Sequence, residues 1–434
     1  MTAFYLLPKT WRTTSMKSIS SEMGQIYAPS ASPRSKPGPL AVIGTHPVQY
    51  HAPVYRAVAE RFGVPVHAIY GSDFSIKGGF DRLFQQSITW DNFTLDPITT
   101  TFLSTVEDWT PQSDSEITAA GLDGVLKKLA PAAVLLTGYY PKFHLSAFLT
   151  VRWRGIPILF RAETTDHTWE GSPIKAWLRD GLLRMLYRNC HCLLPVGTHS
   201  YEHYKRLGCP ESKLLFAPYC VDTSAFAADE EARSSLREPK RRELGVRDDD
   251  ILLMFSGKLA RHKGPQLLIE AVRSMAPADR DRMLVVFVGS GPEQNRLREL
   301  ASAAEHVRTC FAGFQNQTQL SPYYHAADLL VMPSTPYPPY KETWGLVVNE
   351  ALHHGVPCVV SDAVGCAVDL IEPGKTGEVT GTGDAASLAA GIRRALPLVG
   401  DPNIRFACRD RVSRFTIDHA AAGIARAYWS VIGG

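Results

Sequence analysis

Glu342 and Glu350 stand eight positions apart in the stretch KETWGLVVNEALHHG, residues 341–355, with Gly345 between them where a helix should begin. One carboxylate then lies in a loop and the other about a turn and a half into the helix. The helix start offers unpaired N–H groups and a positive dipole end, which suit a phosphate or a hydroxyl-rich ligand. A second cluster lies upstream, where Lys258 and Lys263 bracket the loop SGKLARHKG (256–264), with Gly257 and Gly264 alongside. Two fixed cations near a helix start neutralise a diphosphate well. Each group also has a bland reading. Loop lysines are commonly solvated. A core face of Val347, Val348 and Ala351 would leave Glu350 to water. Glu342, beside Trp344 and after the proline-rich PSTPYPP, is the stronger candidate, and it turns the lysine loop into one.

Other chemistries fit less well. His46 follows the first strand and is a plausible site residue. His51 follows it after four intervening residues, PVQY, but Pro47 and Pro53 break the regular helix that a His-x4-His chelate needs. Asp248, Asp249 and Asp250 formally match a metal-binding DxD, yet they directly precede a strand, where a solvated turn is the ordinary explanation. Gly289-Ser290-Gly291 lacks the third glycine of a dinucleotide fingerprint, since position 294 is Gln294. No GxSxG follows a strand, against a serine hydrolase. The eight cysteines form no CxxC pair, against a structural zinc site, and their scatter fits a reducing compartment. Lys175, Arg179, Arg184 and Arg188 share one expected helix and invite a membrane-surface reading. At about 100° per residue the first pair and the second fall on opposite sides, so they read as solvated charges.

The elements that must position these groups alternate. Strands are expected at 39–44, 66–70, 133–137, 156–160, 192–196 and 214–217, with helices between them, the last strand running into Pro218-Tyr219-Cys220. The polar run Arg161-Ala162-Glu163-Thr164-Thr165-Asp166-His167 follows one strand end, where chemistry collects in open α/β sheets. Ala227 to Asp250, nearly all charged and small residues, reads as a linker with a short helix. Strands and helices then alternate again from Ile251 to Thr380, and Ile417 to Ile432 is a terminal helix. Two blocks of βα units predict two Rossmann-like, doubly wound parallel-sheet domains of the α/β class with a cleft between them. The expected division is a disordered or targeting extension over 1–38, a first domain over 39–226 joined by the helix of 415–434, and a second over 227–414. A chain of 434 residues, 45% hydrophobic and 21% charged, has length enough for both. A net charge of +3 argues against a polybasic nucleic-acid binder. No apolar run reaches the length of a spanning helix.

The second half resembles the nucleotide-sugar glycosyltransferases of family 4, which have the two-domain GT-B fold. The matching pieces are FSGKLARHKGPQLLIEAV, VGSGPEQNRLREL, FAGF, ADLLVMPS, ETWGLVVNEALHHGVPCVVSD and GKTGEV, in order and spacing over Leu252 to Val379. The Glu-x7-Glu pair is the family hallmark. THPVQYHAPVYRAV and PYCVDTSAF look like segments of some members. The resemblance implies retaining transfer of a sugar from a UDP- or GDP-type donor to a glycan, lipid-linked or small-molecule acceptor, without a metal or other cofactor. Lys258 and Lys263 would hold the diphosphate near Gly257. Glu342 would contact sugar hydroxyls, with the amides of Gly345, Leu346 and Val347 nearby, and Glu350 would bind the ribose. Lys258 replaces the usual arginine, and His46-Pro47 replaces a glycine pair. The family often has a histidine near the strand that here ends in Phe160-Arg161-Ala162-Glu163, so Glu163 or His167 takes its place. Glu342, Glu163 and His46 are thus the expected catalytic groups. The implied setting is cytoplasmic, and lipid-linked acceptors are compatible with peripheral membrane contact. The rivals are another GT-B sugar-nucleotide enzyme, an epimerase or phosphorylase, and a non-catalytic sugar-nucleotide-binding protein.

Overall fold

A computed structural model of the chain describes residues 37–74, 76, 79–81, 86–88, 94–105, 116–167, 172–338 and 340–433. The expected extension over 1–38 lies outside them except for its last two residues, as do Lys77 and Gly78 of the stretch Gly71 to Asp91, which its polar and glycine content leads us to expect as a long loop. The chain forms two compact units. Of the described residues, the first holds those up to Gly79, those from 94 to 219 and those from Thr416 on, and the second those from 80 to 88 and from 220 to 415. The division after Tyr219 precedes the composition change by seven residues, and the chain returns to the first unit at Thr416.

In the first unit six parallel strands lie in the order β5-β2-β1-β6-β7-β8. They are β1 (Leu40–Gly44), β2 (Val66–Tyr70), β5 (Thr99–Phe102), β6 (Ala133–Leu136), β7 (Ile158–Phe160) and β8 (Cys192–Leu193). Two short strands that pair with each other, β3 (Gly79–Asp81) and β4 (Gln86–Ile88), interrupt the stretch expected to be loop, and all but Gly79 fall in the second unit. Helices α1 (Ala52–Phe62), α2 (Leu122–Leu129), α3 (Lys142–Trp153), α4 (Pro173–Arg188) and α5 (Thr198–Arg206) connect the strands. The apolar runs of β1 and β6 are fully buried, as parallel strands covered on both faces must be. The expected strand at 214–217 is a correction: it makes a single bridge, Leu214 to Leu193, because Leu215 and Ala217 donate to the carbonyls of Leu193 and Pro195 but Pro195 has no N–H to return the second bond.

The second unit repeats that order with β11-β10-β9-β12-β13-β14. These are β9 (Ile251–Ser256), β10 (Met283–Val288), β11 (Arg308–Gly313), β12 (Leu329–Met332), β13 (Cys358–Ser361) and β14 (Gly377–Thr380). Helices α6 (Glu230–Glu243), α7 (Pro265–Arg273), α8 (Gln294–Ala303), α9 (Gln317–Ala326), α10 (Leu346–His353), α11 (Ala385–Ala395) and α12 (Pro402–Val412) surround them. Helix α13 (Ile417–Ile432) belongs to the first unit, where it packs on α1.

The segment read as a linker is a correction. Helix α6 packs against α9, and its charges have structural work. Arg237 and Arg241 both bind the buried Asp328 carboxylate, at 2.6 and 2.9 Å, and donate to the last carbonyls of α9. Those carbonyls have no partner within their own helix, so cations there satisfy the backbone and meet the negative dipole end. The Asp248 run has a structural explanation too: Asp250 is held by Arg247 and Arg308.

Candidate functional site

Both sheets have the 3-2-1-4-5-6 order of dinucleotide-type folds, so each reverses direction between its first and fourth strands. Ligands in such sheets sit beyond the carboxyl ends at that reversal. In the second unit the reversal lies between β9 and β12. The loop after β9 carries Gly257, Lys258 and Lys263, and the loop after β12 carries Ser334 and Glu342.

The structure brings these groups together. The Lys263 ammonium is ion-paired with the Glu342 carboxylate, and the Ser334 hydroxyl stands 3.5 Å from the same carboxylate. Burial, then Lys263, then Glu342 and Lys258 set the pKa of His262, so all three charges lie around that ring. The net result lowers it, keeping His262 neutral. Burial comes first, and the two cations outweigh the one carboxylate. Backbone geometry fixes the loops. Gly257 (φ +131°) and Gly289 (φ +140°) approach so closely that a Cβ on Gly289 would stand 1.9 Å from the Gly257 carbonyl oxygen. The GSG triplet that mimics a dinucleotide fingerprint is thus a crossing point between two strand-end loops. Gly345 caps α10 at φ +102°, and a Cβ there would meet Val364 at 2.9 Å. The start of α10 can therefore face the loop with its amides uncovered by a side chain.

Glu350 is placed otherwise than its solvated reading expects. It is 6% exposed and accepts a 2.6 Å bond from the Tyr324 hydroxyl. The Ser256 side chain at the end of β9 bonds the same phenol. Burial raises the Glu350 carboxyl to about 7, with the Tyr324 bond opposing in part. Val347, expected in the core, is only half-buried, whereas Asn349 is buried and receives the Trp344 indole N–H at 2.9 Å. An eight-residue helix that presents its first turn to a site turns different residues inward than a helix buried along its length. Tyr324 and Ser334 were not singled out from sequence; their only signal was their place at the end of α9 and directly after β12.

In the first unit, His46 follows β1, its ring 4.5 Å from Phe74 and its Nδ1 3.1 Å from the Thr45 hydroxyl. His51 sits at the start of α1 without capping it and is driven by burial, then by Arg161 and His46, to a pKa of about 3. Glu163, after β7, accepts a hydrogen bond from the Tyr219 hydroxyl. Tyr219 lies under Arg161, whose guanidinium is 5.5 Å from the ring centroid and donates to the carbonyls of Ala217 and Pro218. Glu163 lines a pocket of about 360 Å³ with Gly138, Tyr139, Tyr140 and Arg179. Asp166 is set apart, ion-paired with Arg179 and Arg206, with His203 Nδ1 2.9 Å from its carboxylate. His167 stacks on His199 at 4.2 Å. Among the described residues, no group of three or more His, Cys, Asp or Glu side chains is placed to hold a metal ion.

Residues 237–399 match the family of group 1 glycosyl transferases. A D-inositol 3-phosphate glycosyltransferase of Geodermatophilus obscurus is 35% identical over 206 residues, 45% of this chain and 42% of that protein. Its counterpart from Kribbella flavida is 32% identical over 241 residues, 52% and 51% of the two chains. The chain thus spans about half the length of the curated relatives it matches. Anabaena HepE, solved with UDP and glucose, superposes with a TM-score of 0.64 at 18% identity, over 91% of this chain and 100% of that one. With the two six-stranded sheets, that likeness defines the fold as GT-B, two Rossmann-like domains.

Proposed function

We propose that the chain is a retaining glycosyltransferase that moves a sugar from a UDP- or GDP-type donor to a glycan or lipid-linked acceptor. The observation that carries this reading is the Lys263–Glu342 pair beside Ser334, at the sheet reversal of a unit whose sequence matches group 1 glycosyl transferases. The ammonium has three donors, and the pair with Glu342 leaves others for a diphosphate. Lys258 adds a second cation, and the amides of Gly345, Leu346 and Val347 at the start of α10 add fixed dipoles. Together they take the charge that develops on the leaving phosphate as its bond to the anomeric carbon breaks. This is why no metal cofactor enters the reading. Glu342 holds sugar hydroxyls, and Glu350 anchors the ribose. The first unit serves the acceptor through Glu163 and His46, and the acceptor hydroxyl gives its proton to the departing phosphate. The eight free cysteines fit a reducing, cytoplasmic setting.

A thermal-shift screen of UDP- and GDP-sugars, followed by radiolabel transfer with EDTA present, tests the reading. One donor should raise the melting temperature and be turned over in EDTA. No donor binding, or activity abolished by EDTA, would sink it. Donor conversion without acceptor would favour the epimerase alternative.

A further inference from the structure

Among the described residues, no helix is long and apolar enough to cross a membrane. The first unit nevertheless exposes large apolar side chains in one place. Helix α3 presents Leu145, Leu149 and Trp153, one turn apart, with Trp153 81% exposed. Helix α4 presents Ile174, Trp177, Leu178, Leu182 and Met185, with Ile174 74% and Trp177 72% exposed. The core side of α4 is elsewhere: Leu183, Leu186 and Tyr187 are buried. At about 100° per residue these two sets lie on opposite faces. The helices connect β6 to β7 and β7 to β8, so right-handed crossovers lay them side by side on one face of the sheet. Arg152 of α3 ties to Asn189, the residue that ends α4, at 2.7 Å.

Among the described residues, the exposed charges of these two helices have one sign. Lys175 lies along one flank of the α4 stripe and Arg184 and Arg188 along the other; Lys142 and Arg152 accompany the α3 stripe, and all five are exposed. Helix α3 contains no acidic residue. The only one on α4, Asp180, is buried and paired with Arg206. Lys175 on one side and Arg184 and Arg188 on the other thus border an apolar stripe, whereas Arg179 is turned to Asp166. Arg184 and Arg188 also line a pocket with Lys213, a further place for an anionic group.

We propose that the outer face of α3 and α4 is an interfacial membrane-docking surface for an anionic bilayer. Tryptophans and leucines enter the headgroup boundary, and flanking Lys and Arg meet anionic lipid. A second copy of the chain fits the face poorly, since a two-fold contact would set five cations against five with no acid between. Tyr140 precedes α3 and also lines the pocket of Glu163, so the pocket opens beside the docking face. On the glycosyl-transfer reading, that placement selects a lipid-linked acceptor, and this last step rests on that reading.

The test sediments the full chain with phosphatidylcholine vesicles, with and without phosphatidylglycerol. The wild type should pellet with the anionic vesicles and be released by salt. The W153S/W177S double variant should bind about tenfold more weakly or worse, and K175E/R184E/R188E should lose the preference for phosphatidylglycerol. Donor binding by thermal shift should be the same in all three proteins, which keeps failure of docking distinct from failure of the donor site. Equal pelleting of wild type and W153S/W177S overturns the proposal. So does a concentration-dependent dimer on ultracentrifugation that W153S/W177S dissolves, without vesicle binding by the wild type.

Discussion

In the second unit the candidate residues hang from backbone that few side chains would permit: Gly257 and Gly289 at their crossing, Gly345 at the start of α10. In the first unit, whose sheet has the same strand order, the candidates are held by other side chains: Glu163 by Tyr219, Tyr219 by Arg161, His46 by Thr45 and Phe74. One strand order therefore supports two ways of making a site. A site built on backbone depends on short contiguous motifs. A site built from side chains draws on residues far apart in sequence, such as Glu163 and Tyr219.

The largest expected effect separates the proposed roles of the two sites. Glu342→Gln should lower turnover by about 10²–10³-fold, the range seen when one preorganised polar contact to a transition state is lost. The melting temperature should barely move, because the amide still accepts from Lys263. Glu163→Gln should cost less, about tenfold, the loss of one charge-assisted hydrogen bond on the acceptor side. A larger loss from Glu163→Gln would invert the comparison, and a collapse in melting temperature for Glu342→Gln would make that residue structural.

Backbone and side-chain dependence can also be separated by adding one methyl group. Gly289→Ala places a Cβ 1.9 Å from the Gly257 carbonyl oxygen at φ +140°, so loop and strand end must part. The expected cost is about 3 kcal/mol or more, with donor binding lost even where the protein still folds. Gly423→Ala in α13 meets the Phe216 carbonyl at 2.1 Å, a comparable clash in the first unit. It should lower stability while leaving the donor-induced thermal shift in place. Donor binding that survives Gly289→Ala would show that the loop crossing does not shape the second site.

Glu350 sets stability against ligand binding. Its folded pKa of about 7 lies above the unfolded value of about 4.5. The folded state therefore holds the proton more tightly, and stability falls as pH rises from about 4.5 to 7. Glu350→Gln removes the buried charge and keeps an acceptor for Tyr324. At pH 8 it should stabilise the protein, by at most about 3 kcal/mol, while weakening nucleotide binding. Urea melts at pH 5 and pH 8 measure the first effect, and titration calorimetry the second. Equal stability at both pH values would mean that Glu350 is not held in a dry site.

This contrast also explains what was legible in the sequence. The alternation of β and α elements and the motif loops around Lys258, Lys263 and Glu342 could be read because their positions depend on local backbone. The burial of Glu350 could not, because Tyr324 comes from another helix and α12 (Pro402–Val412), which packs on α10, carries no strong apolar period. Strand β5 was missed because its TTTF sequence is only half-buried at a sheet edge. The charged run of α6 misled because composition cannot show that Arg237 and Arg241 point at Asp328. The same limit hid the apolar face of α4, since spacing gives the angles between residues but not which side the core takes.

The smallest expected effect lies in the first unit and has the opposite sign to that of Glu350. Burial, Arg161 and His46 depress His51 to about 3, below the unfolded value of about 6.5. The unfolded chain therefore binds the proton first, and stability present above pH 6.5 is lost as pH falls toward 3. At pH 5 the loss amounts to about 2 kcal/mol. His51→Phe keeps a ring against Tyr55 and Tyr219, where the native centroids are 6.0 and 6.3 Å away, and removes the titration. Its acid limb should be shallower than that of the wild type, without vanishing, because burial depresses His354 of the second unit to about 3 as well. Urea melts from pH 7 to pH 4 measure the limb. If His51→Phe leaves it unchanged, the acid sensitivity belongs to other buried histidines, such as His199 of the first unit, lowered to about 4, and His354 of the second, and the side-chain-built site does not depend on a neutral His51.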